Sequence, residues 1–129
     1  MTGTMTVAEF EEVAQEAFEQ LPEQFTSRVD NVRIVVEDYP SDDALERSHA
    51  SRTTLLGLYQ GIPLPHRGSW YGTYPAIPDK ITLYRKNIEA VCRNDEEIRA
   101  QIRGVLYHEL GHYFGMSEME IRRAMRAYT

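Results

Sequence analysis

The chain should fold as α+β, with a small mixed β-sheet packed on helices. Three observations point there. Residues 6–20, "TVAEFEEVAQEAFEQ", repeat apolar side chains at helical spacing. Three short runs between residues 31 and 88 are rich in β-branched and other apolar residues. Residues 95–114 then return to a long helical pattern.

The first helix starts at Thr6, which with Glu9 matches a capping box. Val7, Phe10, Val13, Ala14, Ala17, Phe18 and Leu21 form its apolar stripe, and Pro22 lies just past its end. "NVRIVVED", residues 31–38, is a strand candidate. "SDDALERSHAS" after it fits a short helix or a loop, and periodicity does not choose between them. "TLLGLYQG", residues 54–61, is the second strand, and Gly57 inside it marks a bulge or a close backbone approach. Residues 61–79 carry four prolines and three glycines and read as one long irregular loop. Trp70, Tyr71 and Tyr74 within that loop argue against simple disorder. "KITLYRKNI", residues 80–88, is the third strand, with Ile81, Leu83 and Arg85 on one face and Thr82, Tyr84 and Lys86 on the other. Asn94 or Asp95 caps the helix over about 95–114, whose first turn is acidic. A last helix follows over about 118–127.

A chain of 129 residues with 42% apolar and 26% charged residues has globular composition, and the expectation is a single domain over 1–129. The net charge of −6 argues against a nucleic-acid partner and against docking on an anionic membrane. No apolar run approaches the roughly 20 residues that span a bilayer. Cys92 is the one cysteine, so no intramolecular disulfide can form, and the N-terminal residues lack the pattern of a secretory signal. A reducing cytoplasm is the expected location.

The chemistry gathers in "YHELGHYFGMSEME", residues 107–120. His108 and His112 are four residues apart, so on a helix both imidazoles leave one face about 6 Å apart along the axis. Two imidazoles so placed can share a tetrahedral Zn²⁺. Glu109 falls between that face and the apolar stripe of Leu106, Leu110, Tyr113 and Phe114, within reach of a water on the metal. This is the H-E-x-x-H pattern, two ligands plus a general base. A catalytic zinc also needs a third protein ligand. Gly115 can take the left-handed conformation that ends a helix, and Glu118 and Glu120 follow the turn. Ser117 and Glu120 match a capping box for the last helix, which occupies Glu120 and makes Glu118 the preferred ligand, with Glu120 as the alternative.

At these residues the sequence resembles the zincin metallopeptidases. "HELGHYFGMSE" is most similar to the small bacterial minimal-zincin family, also described as MMP-like. "LLGLYQGIPLPHRG" and "PDKITLYRKNIE" resemble that family's segments ahead of the zinc helix, so the likeness covers roughly residues 30–120. It implies a reduced zincin core with the sheet beside the active-site helix, His108 and His112 as ligands, Glu109 as catalytic base and Glu118 as acidic third ligand. The larger metzincins usually carry a histidine where Glu118 stands, followed by a methionine turn. Met119 and Met125 instead fall within a predicted helix.

The implied reaction is hydrolysis of peptide bonds in a peptide or protein substrate. The competing expectation is a zincin-fold module that keeps its metal and binds a partner without cleaving it. Tyr71 and Tyr74 are the candidate oxyanion donors, and strand 80–86 is a candidate edge for an extended substrate. His66 is a loop histidine and His49 a surface one; Cys92 reads as a small buried residue, and Arg122, Arg123 and Arg126 as the solvated face of the last helix. The sequence leaves the oligomeric state open.

Overall fold

The sheet has the strand order β1-β3-β2, with β1 over Val32–Glu37, β2 over Gly57–Gln60 and β3 over Asp79–Tyr84. This computed structural model describes residues 5–71 and 77–128. β1 runs parallel to β3, pairing Val32 with Asp79 through Glu37 with Tyr84. β2 is antiparallel to β3, pairing Gly57 with Leu83 through Gln60 with Lys80. The described helices are α1 (Val7–Glu19), α2 (Glu23–Thr26), α3 (Asp42–Ser48), α4 (Arg85–Ala90), α5 (Asp95–Tyr113) and α6 (Glu118–Tyr128). The architecture is α+β, as expected from the sequence. No helix is long and apolar enough to cross a membrane among the described residues.

The capping box of α1 forms as read: the Thr6 side chain accepts from the Glu9 amide, and the Glu9 carboxylate accepts from the Thr6 amide. Phe10, Val13, Ala14 and Ala17 then turn into the core. Asn94 caps α5, its side chain accepting from the Glu97 amide at 2.9 Å. Ile98, Ile102, Leu106 and Leu110 of α5 meet α1 on one side and Ile81 and Leu83 of β3 on the other. Leu106 is fully buried. Leu106→Ala should cost about 2–5 kcal/mol of unfolding free energy, read by urea denaturation of the metal-free chain. A loss under 1 kcal/mol would place Leu106 outside the core.

The 41–51 segment resolves as a helix, with the Ser41 side chain accepting from the Ala44 amide and His49 closing it in the left-handed region. The third strand stops at Tyr84, whereas the apolar alternation suggested it would continue to 88. β3 is the central strand and is buried along most of its length. Arg85 and Lys86 could not continue it without burying two cations. The chain turns into α4 instead, where Arg85 pairs with Asp38 at 2.8 Å and with Glu89 at 3.2 Å. The loop after β2 also contains a 3₁₀ turn at Leu64–His66.

Candidate metal centre

His108 and His112 lie on the last two turns of α5, and their rings stand 5.0 Å apart between centroids. The helix then ends in a Schellman turn: the Met116 amide donates to the Gly111 carbonyl and the Gly115 amide to the His112 carbonyl, each at 3.0 Å. Gly115 sits at φ +77°, in the left-handed region predicted for it. This reversal brings Glu118, the first residue of α6, back over the histidines. Its Oε1 lies 3.4 Å from His108 Nε2 and 3.1 Å from His112 Nε2. Among the described residues, His108, His112 and Glu118 form the one group of His, Cys, Asp or Glu whose donor atoms converge enough to hold a metal.

The donor set can be tested against an ion. Ligand atoms held at about 2.0–2.1 Å by a tetrahedral Zn²⁺ stand roughly 3.3 Å from one another. The two Glu118–histidine separations fall on either side of that value. Two imidazoles and one carboxylate are also a zinc-type donor set with one position left for water. The residues present fit zinc.

Glu120 is turned to structure. The Ser117 amide donates to its Oε1 at 2.9 Å and its own amide donates to Ser117 Oγ at 3.2 Å, the reciprocal capping box of α6. The Ser117 hydrogen bonds hold its carboxyl below the ordinary range.

Glu109 is buried beside the histidines, 8% exposed. Its Oε1 accepts a hydrogen bond at 2.9 Å from the backbone amide of Tyr59 in β2. Burial raises its carboxyl above the ordinary range, while His108, His112 and the Tyr59 amide pull it back down. The close approach that supplies this bond explains Gly57. A Cβ there would stand 2.5 Å from Val105 Cγ1 and 3.6 Å from Glu109 Cγ, so only glycine lets β2 lie this near α5. Tyr59 is the contact to Glu109 that the sequence reading missed. Its amide carries no residue-type signal; the glycine two positions earlier was the available clue.

The cleft runs to both sides of Glu109. Leu55, Leu58, Tyr59 and Pro63 line the side of His112 and Glu118. Thr54, Leu56, Gln101 and Met125 line the side of His108. The strand expected to offer an edge, residues 80–86, is central and offers none. The edge beside the cleft is β2. The Tyr84 amide donates to the Leu56 carbonyl, so residues 56, 58 and 60 bond to β3 and the backbone groups of Gly57 and Tyr59 point away from it.

The remaining candidates lie elsewhere. Tyr71 stacks on Arg67, 4.2 Å from the guanidinium carbon to the ring centroid, and its hydroxyl accepts from Asn31 Nδ2 at 2.9 Å. It belongs to that contact and lines neither side of the cleft. Tyr74 lies outside the described residues. His66 and His49 are exposed, and Cys92 is buried, with burial raising its thiol. Arg122, Arg123 and Arg126 are exposed on α6, and Met119 and Met125 are helical, so neither forms a methionine turn.

Among known proteins, no curated sequence matches the chain. The family described as zincin-like metallopeptidase matches over residues 29–127. That span takes in all three strands, the cleft and the whole of the histidine–glutamate cluster, and with most of its length so matched the chain belongs to the zincin-like metallopeptidase family.

Proposed function

We propose that this chain is a zinc-dependent peptidase, one domain over 1–129, that hydrolyses peptide bonds with Glu109 as general base. His108, His112 and Glu118 would hold the Zn²⁺. The observation that carries this reading is the convergence of Glu118 Oε1 on both Nε2 atoms, with a buried carboxylate one residue from the first histidine. When bound there, zinc would polarise the scissile carbonyl and acidify the attacking water.

The chain's own residues supply the rest. The Tyr59 amide fixes Glu109 through Oε1, which leaves Oε2 as the atom that takes the proton from the attacking water. The same oxygen returns that proton to the leaving amine nitrogen. Desolvation raises the proton affinity of the carboxyl, which favours it as the acceptor of that proton. An extended peptide can add to the outward face of β2, where Gly57 and the Tyr59 carbonyl are free of β3. This places its backbone beside the residue that holds the base. The net charge of −6 argues against a nucleic-acid partner, and the lone cysteine is in keeping with a reducing cytoplasm.

The test combines metal analysis with cleavage of a peptide library. The purified chain loaded with zinc should carry about one equivalent, as a single three-residue site predicts. A chelator should abolish cleavage, and added zinc should restore it. Failure to take up zinc would end the reading. Zinc uptake without cleavage of any library peptide would favour the non-cleaving binding module.

A further inference from the structure

The segment 61–67 has little regular structure, yet it is tied down by a buried charge pair. The side chains of Arg67 and Asp79 are only 5% and 3% exposed, and their closest approach is 2.8 Å. Arg67 Nε donates to the Ile62 carbonyl at 3.0 Å and Nη1 to the Asp30 carbonyl at 2.9 Å. Its guanidinium lies between two rings, Tyr71 and Tyr113, the second at 5.0 Å. Asp79 Oδ1 accepts from the Ile62 amide at 3.2 Å, and the Tyr59 hydroxyl donates to Oδ2. The clamp therefore joins the start of β1, the end of β2, the start of β3 and the end of α5.

A buried ion pair is weak evidence for stability, because desolvation of both charges offsets most of their attraction. What this one does fix is position. Arg67 and Asp79 hold both ends of the 62–67 loop, and the middle of that loop is Pro65. A Cβ on Gly115 would lie 2.7 Å from Pro65 Cγ and 3.0 Å from Cδ. Pro65 thus rests directly on the turn that carries Glu118 back to the histidines. Pro63 of the same loop lines the cleft beside His112 and Glu118.

We propose that Arg67 is a positioning residue of the metal centre: by clamping the 62–67 loop to Asp79 it keeps Pro65 on Gly115, and so holds Glu118 within reach of His108 and His112. This rests on the reading of Glu118 as a zinc ligand. Arg67 is neither one of the three ligands nor a residue lining the cleft, and because it also packs on Tyr113 next to His112, dependence of its effect on Glu118 is what marks the route through the loop and the turn.

Zinc affinity, measured by competition with a chromophoric chelator on the full chain, tests this without any substrate. Arg67→Lys keeps the charge beside Asp79 but cannot reach both carbonyls while stacking on the two rings. It should stay folded by circular dichroism and bind zinc about tenfold more weakly, the lower end of what losing an orienting partner costs a metal site. Pro65→Ala leaves the buried pair intact and should weaken zinc binding in the same direction by a smaller factor. The decisive readout is a double-mutant cycle. In a Glu118→Ala background neither substitution should weaken binding further, because the ligand that they position is gone. Equal weakening with and without Glu118 would show a general structural effect and overturn the inference. So would unchanged affinity in both single variants. If Arg67→Lys fails to fold, Pro65→Ala and its cycle decide alone. Absence of zinc binding by the unaltered chain would instead overturn the metal reading, and this inference with it.

Discussion

Glu109→Gln should fold, take up zinc as the unaltered chain does, and lose peptide hydrolysis by a factor on the order of 10² to 10⁴. Glutamine keeps the shape and still offers a carbonyl oxygen to the Tyr59 amide, which now bonds Oε1 at 2.9 Å. What it cannot do is take a proton from the attacking water. That factor corresponds to about 3–5 kcal/mol of barrier, large enough to separate from any small change in positioning. Fold and metal should survive because Glu109 contributes no atom to the His108–His112–Glu118 cluster. Burial raises the folded-state value of this carboxyl, so its contribution to stability is present at low pH and is lost as pH rises through that value. In the metal-free chain the glutamine variant should therefore melt no earlier than the unaltered chain at pH 7, and any advantage should vanish in acid. The catalytic test is single-turnover cleavage of the best library peptide with both proteins zinc-loaded. Equal rates would remove Glu109 from the chemistry and favour a binding module.

Much of this site could be read from local spacing. The one-turn interval between the histidines, the helix-ending Gly115 and the Ser117–Glu120 capping box each involve residues within five positions of one another. Such short-range geometry follows from the helix itself. The same holds for the Thr6 and Asn94 caps. The sheet was less legible because its pairings are long-range. Val32 pairs with Asp79 across most of the loop-rich middle of the chain. Nothing in "KITLYRKNI" shows that its first half lies between two strands. Once it does, the cations that follow must leave the sheet, and α4 begins at Arg85.

The supports of the site were the least legible part. Tyr59 acts through a backbone amide that every residue except proline possesses. Arg67 stands in a proline- and glycine-rich loop, where an arginine ordinarily reads as solvated. Only the folded arrangement shows it buried against Asp79 and between two rings. The sequence reading instead directed attention in that loop to its aromatic residues. Tyr71 proves to be part of the packing around Arg67 and not a donor at the cleft.

The proposed ligands yield the other large effect. His112→Ala and Glu118→Ala should each weaken zinc binding by more than about 100-fold, since losing a group that merely orients a ligand already costs about 10–100-fold. Glu120→Ala should leave zinc affinity unchanged. The two acids stand two residues apart, about half a circle around the axis of α6. Glu118 Oε1 faces both Nε2 atoms at 3.1 and 3.4 Å. Glu120 points its carboxylate back to the Ser117 amide at 2.9 Å. Losing that contact frays the start of α6, which circular dichroism would register as a modest loss of helix. Isothermal titration of the metal-free chain with zinc distinguishes the outcomes. If Glu120→Ala abolished binding while Glu118→Ala left it intact, the third ligand would be Glu120, and α6 would have to turn by roughly half a circle about its axis at about 100° per residue to present it. If both variants bound zinc as tightly as the unaltered chain, the two histidines would be holding the metal without either acid. Two waters would then complete a tetrahedral site, and the exposed, 54% accessible side chain of Glu118 would be a bystander.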